Sequence, residues 1–159
     1  MNQFSPELML AHLLGFFKDR GGTINIGDDG TYVYFVMENL RNENYHLDSM
    51  KFICNITKSN YMMHAIPPYI VPEATRQEVM TWICYYNAHI VESNIVINQF
   101  TGDLHIKNVI NCQVVLPSFE VMYETMRFTL SSLFGMVNDM LELAEGKISL
   151  DDAIARLCN

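Results

Sequence analysis

The sequence predicts an α+β fold, an antiparallel-rich sheet of about five strands packed against helices in the order α-β-β-β-α-β-β-α-α. Three observations carry this. Four segments place apolar residues at helical spacing behind capping signals, and five short segments are rich in residues that suit a pleated surface. Gly, Pro, Asp and Asn turn signals separate them without a linker-like stretch. No internal repeat or low-complexity tract breaks the pattern, so residues 1–159 are expected to share one core as a single domain.

Ser5-Pro6-Glu7 supplies an N-cap, a first-turn proline and an acid at the positive end of the helix dipole. Leu10, Leu13, Leu14 and Phe17 then fall on one side. This first helix should run over residues 6–19 and stop at Gly21-Gly22, with His12 on its solvated side. After the turn signal Gly27-Asp28-Asp29-Gly30, residues 31–38 are dense in Tyr, Val and Phe and read as a strand. In residues 50–57, Phe52, Cys54 and Ile56 alternate with Lys51, Asn55 and Thr57, the period of a sheet with one wet face. Ser59-Asn60 turns the chain into a third strand, 61–66, which must end before Pro67-Pro68.

Pro72-Glu73 opens a second helix as Pro6-Glu7 opened the first, and Val79, Trp82, Ile83, Tyr86 and Ile90 lie within a narrow arc. This helix should fray near Asn87. Ile95 and Ile97, then Leu104, Ile106, Ile110, Cys112 and Val114, alternate with polar neighbours around the hairpin signal Thr101-Gly102-Asp103. Pro117-Ser118 begins the longest helix, reaching Ala144 and spanning roughly 40 Å at 1.5 Å per residue. Its stripe is Phe119, Met122, Tyr123, Met126, Leu130, Leu133, Val137, Met140, Leu141 and Ala144, and Gly146 ends it. Ser149 with Asp152 forms a capping-box-like start, Ile148 and Ala153 a staple, and a short last helix carries Ile154 and Leu157.

The formal charge of −8, 18 acidic against 10 basic residues, repels phosphate backbones and anionic lipid heads. The basic residues are scattered, so neither nucleic acid nor a membrane surface is expected as partner. Cys54, Cys84, Cys112 and Cys158 are far apart and form no CxxC pair, which favours reduced thiols packed as small hydrophobes. The apolar run near the N-terminus lacks a basic leader and a small-residue cleavage site. No uncharged run reaches the eighteen or so residues that cross a bilayer, and a cytoplasmic location is expected.

From Val71 onward the order is Val71-Pro72-Glu73, a helix ending at Asn87, a short strand over residues 94–98, the turn Thr101-Gly102-Asp103, and a returning strand over 104–115. With the long helix closing on Glu145-Gly146-Lys147 and the tail Ser149-Asp151-Asp152-Ala153, this resembles the YbjN-like family of bacterial proteins, often described as sensory transduction regulators. The resemblance covers the C-terminal half in good order and the N-terminal half by segment order alone. It departs from the family pattern at Ala88 and Ser93, where glycine is frequent, and at Asn98, where an Asp is common. It implies a type III secretion chaperone-like fold and a role in binding or regulating protein clients.

For nucleophilic catalysis, Cys84 with His64, His89 or His105 has the residue types for a thiol and a base, yet no signature surrounds any Ser or Cys. For a metal, the histidines His12, His46, His64, His89 and His105 form no HExxH and no i,i+4 pair. His46 with Asp48 and Asp103 with His105 could each share a strand face, which makes two ligands and not a site. Gly27-Asp28-Asp29-Gly30 has a phosphate loop's flexibility but two carboxylates that repel a nucleotide. No cofactor, metal or catalytic residue is therefore assigned.

The informative excess lies on the longest helix. Val121, Phe128, Met136 and Leu143 fall behind its core stripe and suggest a second, protein-binding face, unless another helix of the chain covers it. Eleven methionines suit adaptable contact. The sequence thus predicts a non-enzymatic, chaperone-like or regulatory protein-binding module, acting as a homodimer and holding partner segments on an apolar helix or sheet surface. The alternatives are a small-molecule sensor and a cysteine- or histidine-dependent hydrolase.

Overall fold

A computed structural model describes residues 4–20, 23–41, 46–89 and 93–157. The elements are α1 (Pro6–Asp19), β1 (Asn25–Ile26), β2 (Tyr32–Arg41), β3 (His46–Ile56) and β4 (Asn60–Ile66). A single 3-10 turn then leads into α2 (Arg76–His89), β5 (Asn94–Ile97), β6 (Leu104–Asn111), α3 (Phe119–Ala144) and α4 (Leu150–Leu157). The six strands form one sheet in the order β1-β2-β3-β4-β6-β5, every neighbouring pair antiparallel. The sequence predicts five strands. The extra one, β1, has two residues, both exposed, which is too short to show alternation.

Alternation elsewhere sets two layers. On β4, Tyr61, Met63 and Ala65 are buried between half-buried neighbours, and Phe52, Cys54, Leu104 and Ile106 continue that inner face on β3 and β6. The helices pack on this side. Phe17 of α1 meets Phe35 edge-on, the Tyr61 hydroxyl donates to the Met9 carbonyl of α1, and Asn108 of β6 donates to Thr129 of α3.

Two helices bury a wider arc than the predicted stripe. In α1 the fully buried residues are Met9, Leu13, Phe16 and Phe17, and the predicted Leu10 and Leu14 are half-buried against the same core. His12, expected on the solvated side, is half-buried. Its Nδ1 lies 3.2 Å from the Tyr61 hydroxyl, and its ring packs against Phe119. On α3 the predicted stripe lies in or against the core except for the exposed Tyr123, and the buried arc also takes in Thr129, Ser132, Met136 and Leu143.

The arc of α3 widens because α2 and α4 pack against its second half. Arg156 of α4 pairs with both Asp139 and Glu142 of α3 at 2.8 Å. A Schellman turn reverses the chain between the two helices: Lys147 N donates to Glu142 O, Gly146 N donates to Leu143 O, and Gly146 takes φ +70°. Ser149 then accepts from Asp152 N and caps α4 as the sequence predicts. Trp82 of α2 is fully buried beneath α4, its indole donating to the Ala153 carbonyl at 3.2 Å and its ring stacked on Tyr86 at 5.0 Å.

Asn87 has a different duty from stopping a helix, for α2 continues to His89. Its amide bonds both backbone groups of Ile95, accepting from N and donating to O at 2.9 Å each, as a neighbouring strand would. Asn87→Leu should cost about 2 kcal/mol by leaving two partly buried backbone groups unpaired, with Asn87→Asp in between. Urea unfolding of the three proteins checks this, and equal midpoints would refute it.

Candidate functional site

Among the described residues, helices cover only one face of the sheet, so the alternating residues of each strand on the other face stand clear of them. The strand register arranges these side chains in rows, because directly opposed residues share a face. One row runs Tyr32, Asn55, Met62, Val109, and the next Tyr34, Ile53, His64, Lys107, Asn94. A third contains Val36, Lys51 and Ile66, while Val96 opposes His105. Val36, Val96 and Val109 are each about half exposed, at 54%, 46% and 52%. For residues that a second layer would bury in a sandwich, this is a large apolar surface left to water.

The electrostatics of this face oppose those of the whole chain. Lys51, His64, His105 and Lys107 lie on it, with Glu38 at the far end of β2 and Asp103 in the β5–β6 turn as its acids among the described residues. Lys51 Nζ sits 4.8 Å over the Tyr34 ring, and Asp103 accepts from the Thr101 hydroxyl. Most of the 18 acidic residues therefore lie elsewhere, Glu120, Glu124, Asp139, Glu142, Asp151 and Asp152 among them on α3 and α4.

Two open depressions mark the face. One is lined by Tyr32, Lys51, Ile53, Asn55 and Met62, the other by His64, Val96, Asn98, His105 and Lys107. In the second, the His64 and His105 rings meet edge-on at 5.8 Å, and neither ring nitrogen of His64, both buried, has a hydrogen-bond partner. Burial, then the neighbouring His105 and Lys107 charges, hold His64 below the ordinary histidine value of 6.5. Burial lowers His12 likewise.

A histidine that resists protonation in the folded state binds fewer protons there than in the unfolded chain. Its contribution to stability is therefore full above about pH 6.5 and is lost as pH falls through the window below. Unfolding free energy should rise between about pH 5 and pH 7, and His64→Phe should flatten part of that slope. An unchanged slope in chemical denaturation of the variant would show that His64 is not the group responsible.

The predicted protein-binding set on α3 is divided. Met136 and Leu143 are buried in the chain's own core, so the second apolar face expected there is covered over its C-terminal half. Phe128 is half-buried under the Arg127 guanidinium, and Val121 is exposed. The sequence names a sheet surface without its residues, because alternation marks both faces of a strand and cannot say which one the helices take.

Of the other residues considered for chemistry, Cys54 and Cys112 are buried and their thiols pushed up by burial, while Cys84 is exposed on α2. His89 on the same helix bonds the Tyr85 carbonyl. Among the described residues no three His, Cys, Asp or Glu side chains gather as metal ligands, and no helix is long and apolar enough to cross a membrane. His46 and Cys158 have side chains outside the described residues. Asn98 and Ser93 have structural duties. Asn98 Oδ1 accepts from Phe100 N and Thr101 N, which an Asp could also do, and the buried Ser93 hydroxyl donates to Ser132.

No family model matches the chain, and no curated protein matches its sequence.

Proposed function

We propose that the chain is a non-enzymatic, cytoplasmic protein-binding module, chaperone-like or regulatory, that holds client segments on the uncovered face of its sheet. The observation that carries this reading is the composition of that face: apolar and aromatic side chains in three rows, interrupted by cations on an otherwise acidic protein. An apolar surface bearing cations suits a segment with apolar side chains and carboxylates, and its charge disfavours a second copy of the same face. The resemblance to the YbjN-like family supports the same role.

Size narrows the occupant. Five strands at about 4.8 Å spacing and three rows of side chains give a surface of roughly 500 Å². That is below the ~800 Å² that each partner buries in a standard interface, so a single polypeptide segment fits better than a globular surface. A homodimer in this reading joins through Val121 and Phe128 on α3 and leaves both sheet faces open, and light scattering of the pure protein measures it.

Selection of random displayed peptides on the immobilised protein tests the assignment. Enriched sequences should combine aromatic or aliphatic residues with Asp or Glu, and they should fail to bind a Tyr34→Ala/Lys51→Glu double variant. Peptides that hold the variant as well as the parent would place recognition elsewhere.

A further inference from the structure

We infer that His64, His105 and Lys107 form a binding site for a carboxylate, the side chain of an acidic residue in the segment bound on the sheet face. The inference rests on the reading of that face as client-binding. Its geometry comes from the register. His64 of β4 lies directly opposite Lys107 of β6, and His105 is two residues further along β6 on the same face. All three line one depression together with Val96 and Asn98, so three nitrogen-bearing side chains converge in an apolar-walled hollow.

The unusual member is His64. Buried polar atoms are nearly always hydrogen-bonded, and here both nitrogens of one ring are buried and unpaired. A neutral imidazole offers one N–H and one lone pair, whereas a protonated ring offers two N–H donors. A carboxylate that enters when the half-exposed His105 ring swings to another rotamer accepts from His64 and lies beside the Lys107 ammonium. A metal cation fits worse, because Lys107 repels it and the depression has two histidines with no carboxylate among its lining residues.

The charged surroundings set the pH behaviour. His64 faces Lys107 and His105 on β6 and has Lys51 diagonal to it on β3. β5 contributes only Asn94 and Val96, and the acids of the face, Glu38 and Asp103, lie at its margins. Burial, then the charges of His105 and Lys107, oppose protonation of the empty site; a bound anion offsets them, so binding takes up a proton and tightens as pH falls.

The test uses the full chain with ¹⁵N-labelled histidine and follows the ring signals by NMR. Four probes are titrated, namely glutarate, inorganic phosphate, zinc chloride and sodium chloride, the anions at matched ionic strength. Glutarate should move the His64 and His105 signals saturably, with His12 and His89 as internal references, and raise the apparent pKa of His64 by about one unit. Affinity should then improve up to tenfold per pH unit lowered, and Lys107→Gln should weaken it at least fivefold while amide spectra stay dispersed.

Saturation by phosphate alone or by zinc alone, or a glutarate response no larger than that of chloride, would overturn the site. Displayed peptides that bind the face while glutarate does not would remove this inference and leave the client-binding reading. Glutarate binding without any peptide binding would leave a carboxylate site and overturn the client segment as its source.

Discussion

Trp82→Ala should lower the stability of the chain by about 3–5 kcal/mol, the largest loss expected from any single side chain. The indole is fully buried, stacks on Tyr86 and donates to the Ala153 carbonyl, and Tyr86 in turn donates to the Ser132 carbonyl of α3. Truncation therefore opens a cavity where α2, α3 and α4 meet and also leaves a buried carbonyl without its donor. Trp82→Phe, which keeps most of the ring and loses the hydrogen bond, should cost about half as much. Urea unfolding followed by far-ultraviolet circular dichroism measures both variants, and a Trp82→Ala midpoint within about 1 kcal/mol of the parent would show that the helices do not depend on this contact.

The second large effect concerns binding. Ile53 lies between Tyr34 and His64 in the middle row of the sheet face, so Ile53→Glu places a carboxylate where an apolar, acid-bearing client would sit. Loss of a central apolar contact plus repulsion of the client's own carboxylates should weaken binding of selected peptides by about 100-fold, near 3 kcal/mol. Because Ile53 points away from the helices, the melting temperature should move little. Fluorescence anisotropy with a labelled peptide gives the affinity. A change below about threefold would mean that the centre of the face is not where clients rest.

Much of the fold was legible from local signals. Ser5, Ser118 and Ser149 cap the helices that they were expected to cap, because a hydroxyl accepting from a backbone N–H needs no tertiary partner. Gly102 was legible as a turn residue. It takes φ +82°, and a Cβ there would collide with the Val71 carbonyl oxygen. What failed depended on neighbours distant in sequence. His12 is held by Tyr61, and Met136 and Leu143 are buried on a helix against which α2 and α4 pack. The candidate site was least legible. His64, Lys107 and His105 look like isolated residues until the pairing of β4 with β6 brings them together, and that pairing has no local signature.

The pairing of β4 with β6 also bears on the order in which the molecule assembles. From β1 to β4 each strand lies beside its successor in the chain, and β5 lies beside β6. Among the described strands, only the β4–β6 seam joins two that are separated by another strand, with α2 and β5 falling between them in sequence. A meander and a hairpin can therefore form from nearby contacts, while the seam bears the greater loop-closure entropy and sets the pace of folding. The histidine–lysine cluster straddles that seam, and so comes into being only when the two halves have met.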